Sequence, residues 1–454
     1  MEAMQNAGTT WTAGRTIEPQ PKLTVNRETD VVIIGAGLTG LLSAYTLAKA
    51  GKKVIVLEKN RIANGTTMAT TAFLTQIIDT AAEDVVRMIG MKQAKLMYTS
   101  HMAAISLIER IVRDEKIVCD FRRVSNYIIA TTKDEAEYLE DELDILRAIG
   151  INALLHLRAD IGLPHTAAIE IKDQAAFQPI AFISGLVRVL LSLGVEMYEE
   201  TEVLSLTNQT DPSTHGDYVV AATADHAIRA KWSVTATYQP FDNPASVFMK
   251  KGMYLSYVYE IEVPKGRYKA ALYEDMKNPY HYIRIDEGGE GINVDTVIVG
   301  GEDHRKDLPI DHDTCWASLT DYIEQMFGKA SVGDYRVVRR WTGPILEPSD
   351  GFALIGFARK QQIVATGFSG NGITYAGITA LVVQDLVEKG ISDWAPLYDP
   401  KRRLTFKAMR IKGRDYATEM IHGAFRTMLV YTKNARGQVV RRLHKMKQNK
   451  TAQK

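Results

Sequence analysis

Apolar and polar positions along the chain fall into three rhythms. A short branched run, Val31 to Ile34, ends at Gly35, Gly37 and Gly40; Leu41, Leu42, Tyr45 and Leu47 then recur at helical spacing, and a second run, Val54 to Leu57, ends on Glu58. Runs this short and this β-branched predict buried parallel strands, so the segment reads strand, turn, helix, strand. The same order returns at Ile363 to Thr366, with Gly367, Gly370 and Gly372 and then a helix from about Ile373. A long helix is expected from Ala82 to Lys116, where Met97, His101, Ala104, Ile108 and Ile111 share one face and place His101 in the core. Thr132 and Glu135 form an S/T-x-x-E box opening a further helix, carried by Leu139, Leu143 and Leu146 to Gly150. From about Ala245 the period drops to two. Leu255, Tyr257, Tyr259, Ile261 and Val263 alternate with Tyr254, Ser256, Val258, Glu260 and Glu262, and strands near YHYIRI and VDTVIVGGE follow. This predicts an antiparallel sheet with two unlike faces.

The first glycine-rich turn carries chemistry. G-x-G-x-x-G between strand and helix gives a tight turn at Gly35, bare backbone for a pyrophosphate at Gly37 and close helix packing at Gly40, with helix N–H groups facing the phosphates. Glu58 stands 23 residues after Gly35, where a ribose 2′-OH needs an acceptor and where a 2′-phosphate would be repelled. These features predict a dinucleotide and leave NAD and FAD open. From Ile62 to Leu74 the chain has no charge, and Thr66, Thr67, Thr70 and Thr71 offer hydroxyls among small residues, which suits a flat ring. A second helix N-terminus after Gly372 suits a group that becomes anionic. The small residues Thr235 to Thr237 in WSVTATYQPF could pass beneath it.

The blocks VVIIGAGLTGLLSAYTLAKAGKKVIVLEKNRIANGTTMATTAFLT, CDFRRVSNYIIAT, DQAAFQPIAFISGL, TATYQPF, VIVGGEDH, WTGPILEPSDGFALIG, VATGFSGNGITYAG and DWAPLYDP stand in one order along the chain. Together they resemble the D-amino-acid-oxidase-like (DAO) family of FAD-dependent oxidoreductases, closest to the branch often fused to a Rieske domain. The resemblance implies an α/β fold: a Rossmann-like FAD-binding domain with an inserted α+β substrate domain on an antiparallel sheet. The expected division is a leader over 1–26, FAD-binding parts over 27–110, 173–244 and 336–400, substrate parts over 111–172 and 245–335, and a basic extension over 401–454.

By the same resemblance FAD would meet Gly35, Ala36, Gly37, Leu38, Thr39, Gly40, Glu58 and Lys59 through its ADP half, with Val203 at the adenine. Its flavin would meet Gly65, Thr66, Thr67, Thr70, Thr71, Ala72, Ala236, Thr237, Gly343, Gly367, Gly370, Asn371, Gly372, Ile373 and Thr374. Arg284, on a strand face with Tyr280 and Tyr282, is the candidate clamp for a substrate carboxylate. Tyr282 and His304 complete the catalytic candidates. Three departures from the family pattern matter. Ala69 replaces a histidine that tethers flavin in some relatives, and no cysteine stands near WTGPILEPSDG, so non-covalent FAD is expected. Ile345 stands where amino-acid-oxidising members tend to place an arginine, which argues against a plain D-amino acid.

Composition narrows the partners. The 454 residues are 46% apolar and 24% charged, enough for a large core in two domains. No apolar run reaches the ~18 residues of a membrane span and no signal-peptide pattern opens the chain, so a cytoplasmic protein is expected. Cys119 and Cys315 are the only cysteines, too few for the two Cys and two His of a Rieske centre and without metal-ligand spacing. Residues 401–454 carry 16 Lys and Arg against Asp415 and Glu419, and Phe406, Met409, Tyr416, Met420, Phe425, Met428 and Leu429 lie among the first of them. Docking on the body or peripheral contact with an anionic membrane would use such a segment. Nucleic acid is the weaker partner, since the tail offers charge and few aromatics. The expected activity is hydride transfer to flavin from a small amine or amino acid, with oxygen or a quinone as acceptor. A tRNA-modifying flavoenzyme and a non-catalytic flavin-binding protein are the alternatives.

Overall fold

The computed structural model describes residues 9–12, 16–213, 215–241, 251–277, 279–306 and 311–403. The chain begins with β1 (Arg27–Ile34), α1 (Leu38–Lys49) and β2 (Val54–Leu57). A 3-10 turn over Thr66–Ala69 leads to β3 (Phe73–Leu74), α2 (Ala82–Ile89) and α3 (Met91–Asp114). Then come β4 (Arg122–Ala130), α4 (Lys133–Ile149), β5 (Ala153–His156), β6 (Ala167–Ala176) and α5 (Pro179–Ser192). β7 (Glu196–Tyr198), β8 (Ser205–Thr210), β9 (Asp217–Ala222) and β10 (Ala227–Thr235) return the chain to the first sheet. β11 (Lys251–Pro264), β12 (Leu272–Asp275), β13 (His281–Asp286) and β14 (Val294–Arg305) precede α6 (His312–Phe327). β15 (Arg336–Pro348), β16 (Leu354–Arg359), β17 (Gln362–Thr366), α7 (Gly372–Lys389) and the single turn α8 (Ala395–Tyr398) follow.

Two sheets result. The first runs β16-β17-β10-β1-β2-β7, with β8 and β9 attached to β10, and its centre, β17-β10-β1-β2-β7, is parallel. Both faces of such a sheet are covered, which is why Val31 to Ile34 and Val54 to Leu57 are apolar throughout and all buried. α1 packs on one face between α5 and α7, and Leu41, Leu42 and Leu47 are fully buried, each contributing roughly 1.5–3 kcal/mol. Close packing continues from α7 to α3, where a Cβ on Gly377 would stand 2.7 Å from that of Ala104. The second sheet runs β15-β11-β14-β13-β12-β4-β6-β3, antiparallel except for β12 against β4. Its alternation is the one the sequence shows: Tyr257, Tyr259, Ile261 and Val263 join Leu319, Ile323 and Phe327 of α6 in a core of their own.

The structure corrects the sequence reading at three places. The helix expected over Ala82 to Lys116 is two helices, because Gly90 adopts φ +81°, ψ 156°, a conformation that only glycine holds without strain. β15 belongs to the second sheet, paired along β11, so that sheet runs past the expected division at 335 to Pro348. Phe73–Leu74, expected within the first FAD-binding part, pairs with β6 of the second sheet. The capping box of Thr132 and Glu135 and the left-handed Gly150 bound α4 as expected. The basic extension beyond Arg403 lies outside the described residues, as do residues 1–8 and 13–15 of the leader.

Candidate active site

The two sheets meet over a cleft at the carboxyl ends of the parallel strands, the crevice where open α/β sheets bind ligands. It holds about 1340 Å³ of atom-free space including its mouth.

The floor is the turn from β1 to α1. Gly35 has φ +104°, and a Cβ there would stand 2.6 Å from Ala236 O, while one on Gly40 would stand 1.9 Å from Gly35 O. These two glycines are packing requirements. Gly37, Leu38 and Thr39 line the cleft itself. Gly37 caps α1 with no side-chain hydrogen bond and Asn371 caps α7 likewise, so both helices keep first-turn N–H groups for a ligand. Glu58 accepts the Ala36 and Asn60 N–H groups, each at 2.9 Å, and the remaining lone pairs of its carboxylate are open to a ribose hydroxyl. Thr201 N–H donates to Glu58 O at 2.9 Å, which sets the segment carrying the buried Val203 beside it. Lys59 and Gly65 are exposed, and neither lines the cleft.

Thr66, Thr67, Thr70 and Thr71 line the cleft together with Ala236, Thr237, Gly343, Gly367, Gly370, Asn371, Gly372 and Ile373, and Gly343 lies against Ala69. The threonine wall is held by residues the sequence reading did not connect with it. Trp341 Nε1 donates to Ala69 O at 3.0 Å, Trp11 Nε1 to Thr70 O at 2.6 Å, Arg284 Nη1 to Ala72 O at 2.9 Å and Thr374 Oγ1 to Thr75 O at 2.9 Å. Four carbonyls are thereby turned into the protein, and Ala72 sits at φ +60°, fully buried. The Thr374 hydroxyl is thus a brace, turned away from the cleft onto Thr75 O.

Arg284 is also a brace. It shares the face of Tyr282, as its parity predicts, yet its guanidinium is 2% exposed and committed. Nε bonds Asp286 at 2.9 Å, Nη2 pairs with Asp286 at 2.9 Å, Nη1 bonds Ala72 O and Phe177 O, and Trp11 lies over it at 5.0 Å. Burial works to raise the Asp286 carboxyl, but Arg284 and Arg122 together hold it below the usual aspartate range. Four of its five N–H donors are engaged and the guanidinium does not line the cleft, which argues against the expected clamp. His304 is on the other face. It stacks on Tyr257 at 5.6 Å and its Nδ1 lies 3.9 Å from Cys315 Sγ, beneath α6, so it is not a cleft residue.

Tyr282 does line the cleft. Gly300 on the neighbouring strand makes room for its ring: a Cβ there would meet Tyr282 Cζ at 2.2 Å. Its hydroxyl lies 2.9 Å from that of Ser256, and burial, with Asp303 nearby, pushes its pKa up, so it stays a neutral phenol. Tyr280, Ser256, Glu274 and Asp79, none of them singled out as site residues from the sequence, complete this face. Burial and then the neighbouring Asp79 push Glu274 up to about 8; burial likewise takes Asp303, behind Tyr280, up to about 7. A glutamate in the otherwise apolar ALYE segment was the one sequence signal for Glu274.

The turn, the acceptor at Glu58 and the sheet laid over the ring end are those of a dinucleotide-dependent oxidoreductase. Residues 30–386 match the DAO family, described as FAD dependent oxidoreductase, and the chain belongs to that family. The chain is 28% identical over 400 residues to YhfW of Bacillus subtilis (strain 168), a protein named for a Rieske 2Fe-2S centre, across 87% of this chain and 75% of that one. It is 24% identical to the glycine oxidase of Bacillus licheniformis over 373 residues, 79% of this chain and 92% of the relative. The crystal structure of glycine oxidase from Geobacillus kaustophilus superposes with a TM-score of 0.67 at 19% identity, covering 84% of this chain and all of the other. The cofactor is FAD. Among the described residues no helix is long and apolar enough to cross a membrane.

Proposed function

We propose that this protein removes a hydride from a C–H bond next to nitrogen in a small amine or amino acid, and that its flavin is held without a covalent link. The observation that carries this reading is the composition of the cleft wall. Its threonine, glycine and small-residue surface suits a flat ring, and facing it stand neutral tyrosine hydroxyls with no lysine, arginine or histidine among the described lining residues. Bound FAD supplies a two-electron acceptor. The chain's own residues then have three tasks: hold the ring against Thr66 to Thr71, present anion-stabilising N–H groups from α7, and set the donor carbon over the ring from the Tyr282 side. A neutral amine needs no strong base beyond that. The relationship to a glycine oxidase is in keeping with a C–N donor. Oxygen or a quinone is the proposed reoxidant, and contact with a membrane surface through the basic extension is proposed from its composition alone.

Anaerobic titration with amines, N-methyl amino acids and D-amino acids tests the reading. Loss of the oxidised-flavin band near roughly 450 nm on adding one class is the expected result. A bound flavin that none of them reduces would move the assignment to the tRNA-modifying or non-catalytic alternatives.

A further inference from the structure

The charge of the substrate face carries a more specific conclusion, resting on the reading of the cleft as an amine-oxidising site. Glu274 and Asp79 line the cleft, and the lining holds no cationic side chain among the described residues. Tyr280 joins the acids into one patch: its hydroxyl lies 3.5 Å from Asp79 Oδ2 and 3.3 Å from Asp303 Oδ2. Asp79 also accepts from Gly370 N–H at 3.2 Å and from Asn371 Nδ2 at 3.3 Å, both neutral donors. The Asp303 carboxyl group receives the hydroxyls of Ser256 and Tyr280, again neutral donors. Asn126 Nδ2 donates to Glu274 Oε1 at 3.0 Å, a neutral donor that brings no countercharge to the carboxyl group.

A carboxylate-bearing substrate would bring another negative charge to this patch, and Arg284, the arginine on that strand face, is spent on Asp286 and two carbonyls. Like charges in a desolvated site cost heavily, whereas a cation there meets its complement. We infer that the substrate is an amine with a second, protonated nitrogen, held by Glu274 and Asp79 while the neutral nitrogen and its C–H bond face the flavin. Diamines and longer polyamines have this pattern; glycine and other simple α-amino acids do not. The raised pKa values of Glu274 and Asp303 are the strain that such a cation would relieve.

The test uses the holoprotein under anaerobic conditions with chain-matched compounds: 1,4-diaminobutane, a linear triamine, n-pentylamine, 5-aminopentanoate, glycine and N-methylglycine. Apparent Kd and the rate of flavin reduction are read for each. A charge-assisted contact predicts that the diamine or triamine binds about 10–100-fold more tightly than the monoamine, with the aminocarboxylate weakest. Glu274→Gln keeps the shape and the Asn126 hydrogen bond, and should raise Kd for the dication about 10-fold more than for the monoamine. If glycine, N-methylglycine or 5-aminopentanoate binds and reduces best, the inference is overturned while the amine-oxidising reading stands. If none of the six reduces the flavin, the inference is overturned, and the wider panel of N-methyl and D-amino acids decides the amine-oxidising reading.

Discussion

Arg284 illustrates how a residue can be placed on the correct face and still be given the wrong task. Strand parity puts it beside Tyr282, but parity says nothing about what caps the guanidinium, and here the cap is Trp11, 273 residues away. Removing it would leave Asp286 with Arg122 as its cation and release the Ala72 carbonyl. Arg284→Met should therefore cost about 3 kcal/mol in chemical denaturation and loosen flavin retention on gel filtration. A variant of wild-type stability and flavin content that loses only substrate turnover would restore the clamp. His101 makes a cleaner case, because helical spacing alone predicted its burial. It is fully buried, its Nδ1 bonds Met97 O at 2.9 Å, and burial lowers its pKa to about 4. The sign follows: an unfolded histidine takes up a proton below about pH 6.5 while the folded one resists until about 4. Stability supplied by the neutral ring is thus complete above 6.5 and lost as pH falls toward 4, by on the order of 3 kcal/mol. Melting curves of wild type and His101→Gln from pH 7 to 4 should converge toward the acid end. A constant gap between them would show that His101 is not held neutral.

At the scale of elements, the glycines separate two kinds of constraint. Gly40→Ala would drive a Cβ to within 1.9 Å of Gly35 O, backbone against backbone, so α1 must move off β1 and the phosphate turn with it. Gly90→Ala meets nothing within 4 Å and has only its positive φ to overcome, at roughly 1–3 kcal/mol. The first variant should purify without flavin or fail to fold. The second should keep its flavin and melt a few degrees lower. If Gly40→Ala retains a full complement of FAD, the close approach is not what the turn requires. The same contrast explains what was legible in the sequence. The turn at Gly35 to Gly40, the capping box at Thr132 and the alternation of β11 are local patterns whose meaning survives without a fold. The braces on the threonine wall come from Trp11, Arg284, Trp341 and Thr374, positions with no common period, and only tertiary packing assembles them. Glu274 and Asp79 were missed for a similar reason: a single carboxylate in a strand or loop reads as solvated until the opposing sheet is laid over it.

For the molecule as a whole, the cleft makes the cofactor a further link between two sheets that already share part of a core. Gly37 and Ala236 come from the first sheet's connections, Gly343 and Tyr282 from strands of the second, and all four line one space. One face of the second sheet packs with α6 in a cluster of its own, while Val258, Ile298, Trp341, Ile169 and Ile171 of that sheet join Val31 and Val56 of the first in a shared core. A ligand that touches both walls must stabilise their relative position, and mass action sets the scale, about 3 kcal/mol at a hundredfold excess of FAD over its Kd. Hydrogen exchange on apo and FAD-loaded protein should then show protection at 66–75, 236–238 and 367–373 together with the phosphate turn, and at the cleft face of β11 and β13 to a smaller degree. Protection restricted to the turn and to the strand ending at Glu58 would mean that the ring end of the cofactor lies elsewhere. The threonine wall, the α7 N-terminus and the acidic patch would then have to be assigned to something other than flavin and its substrate.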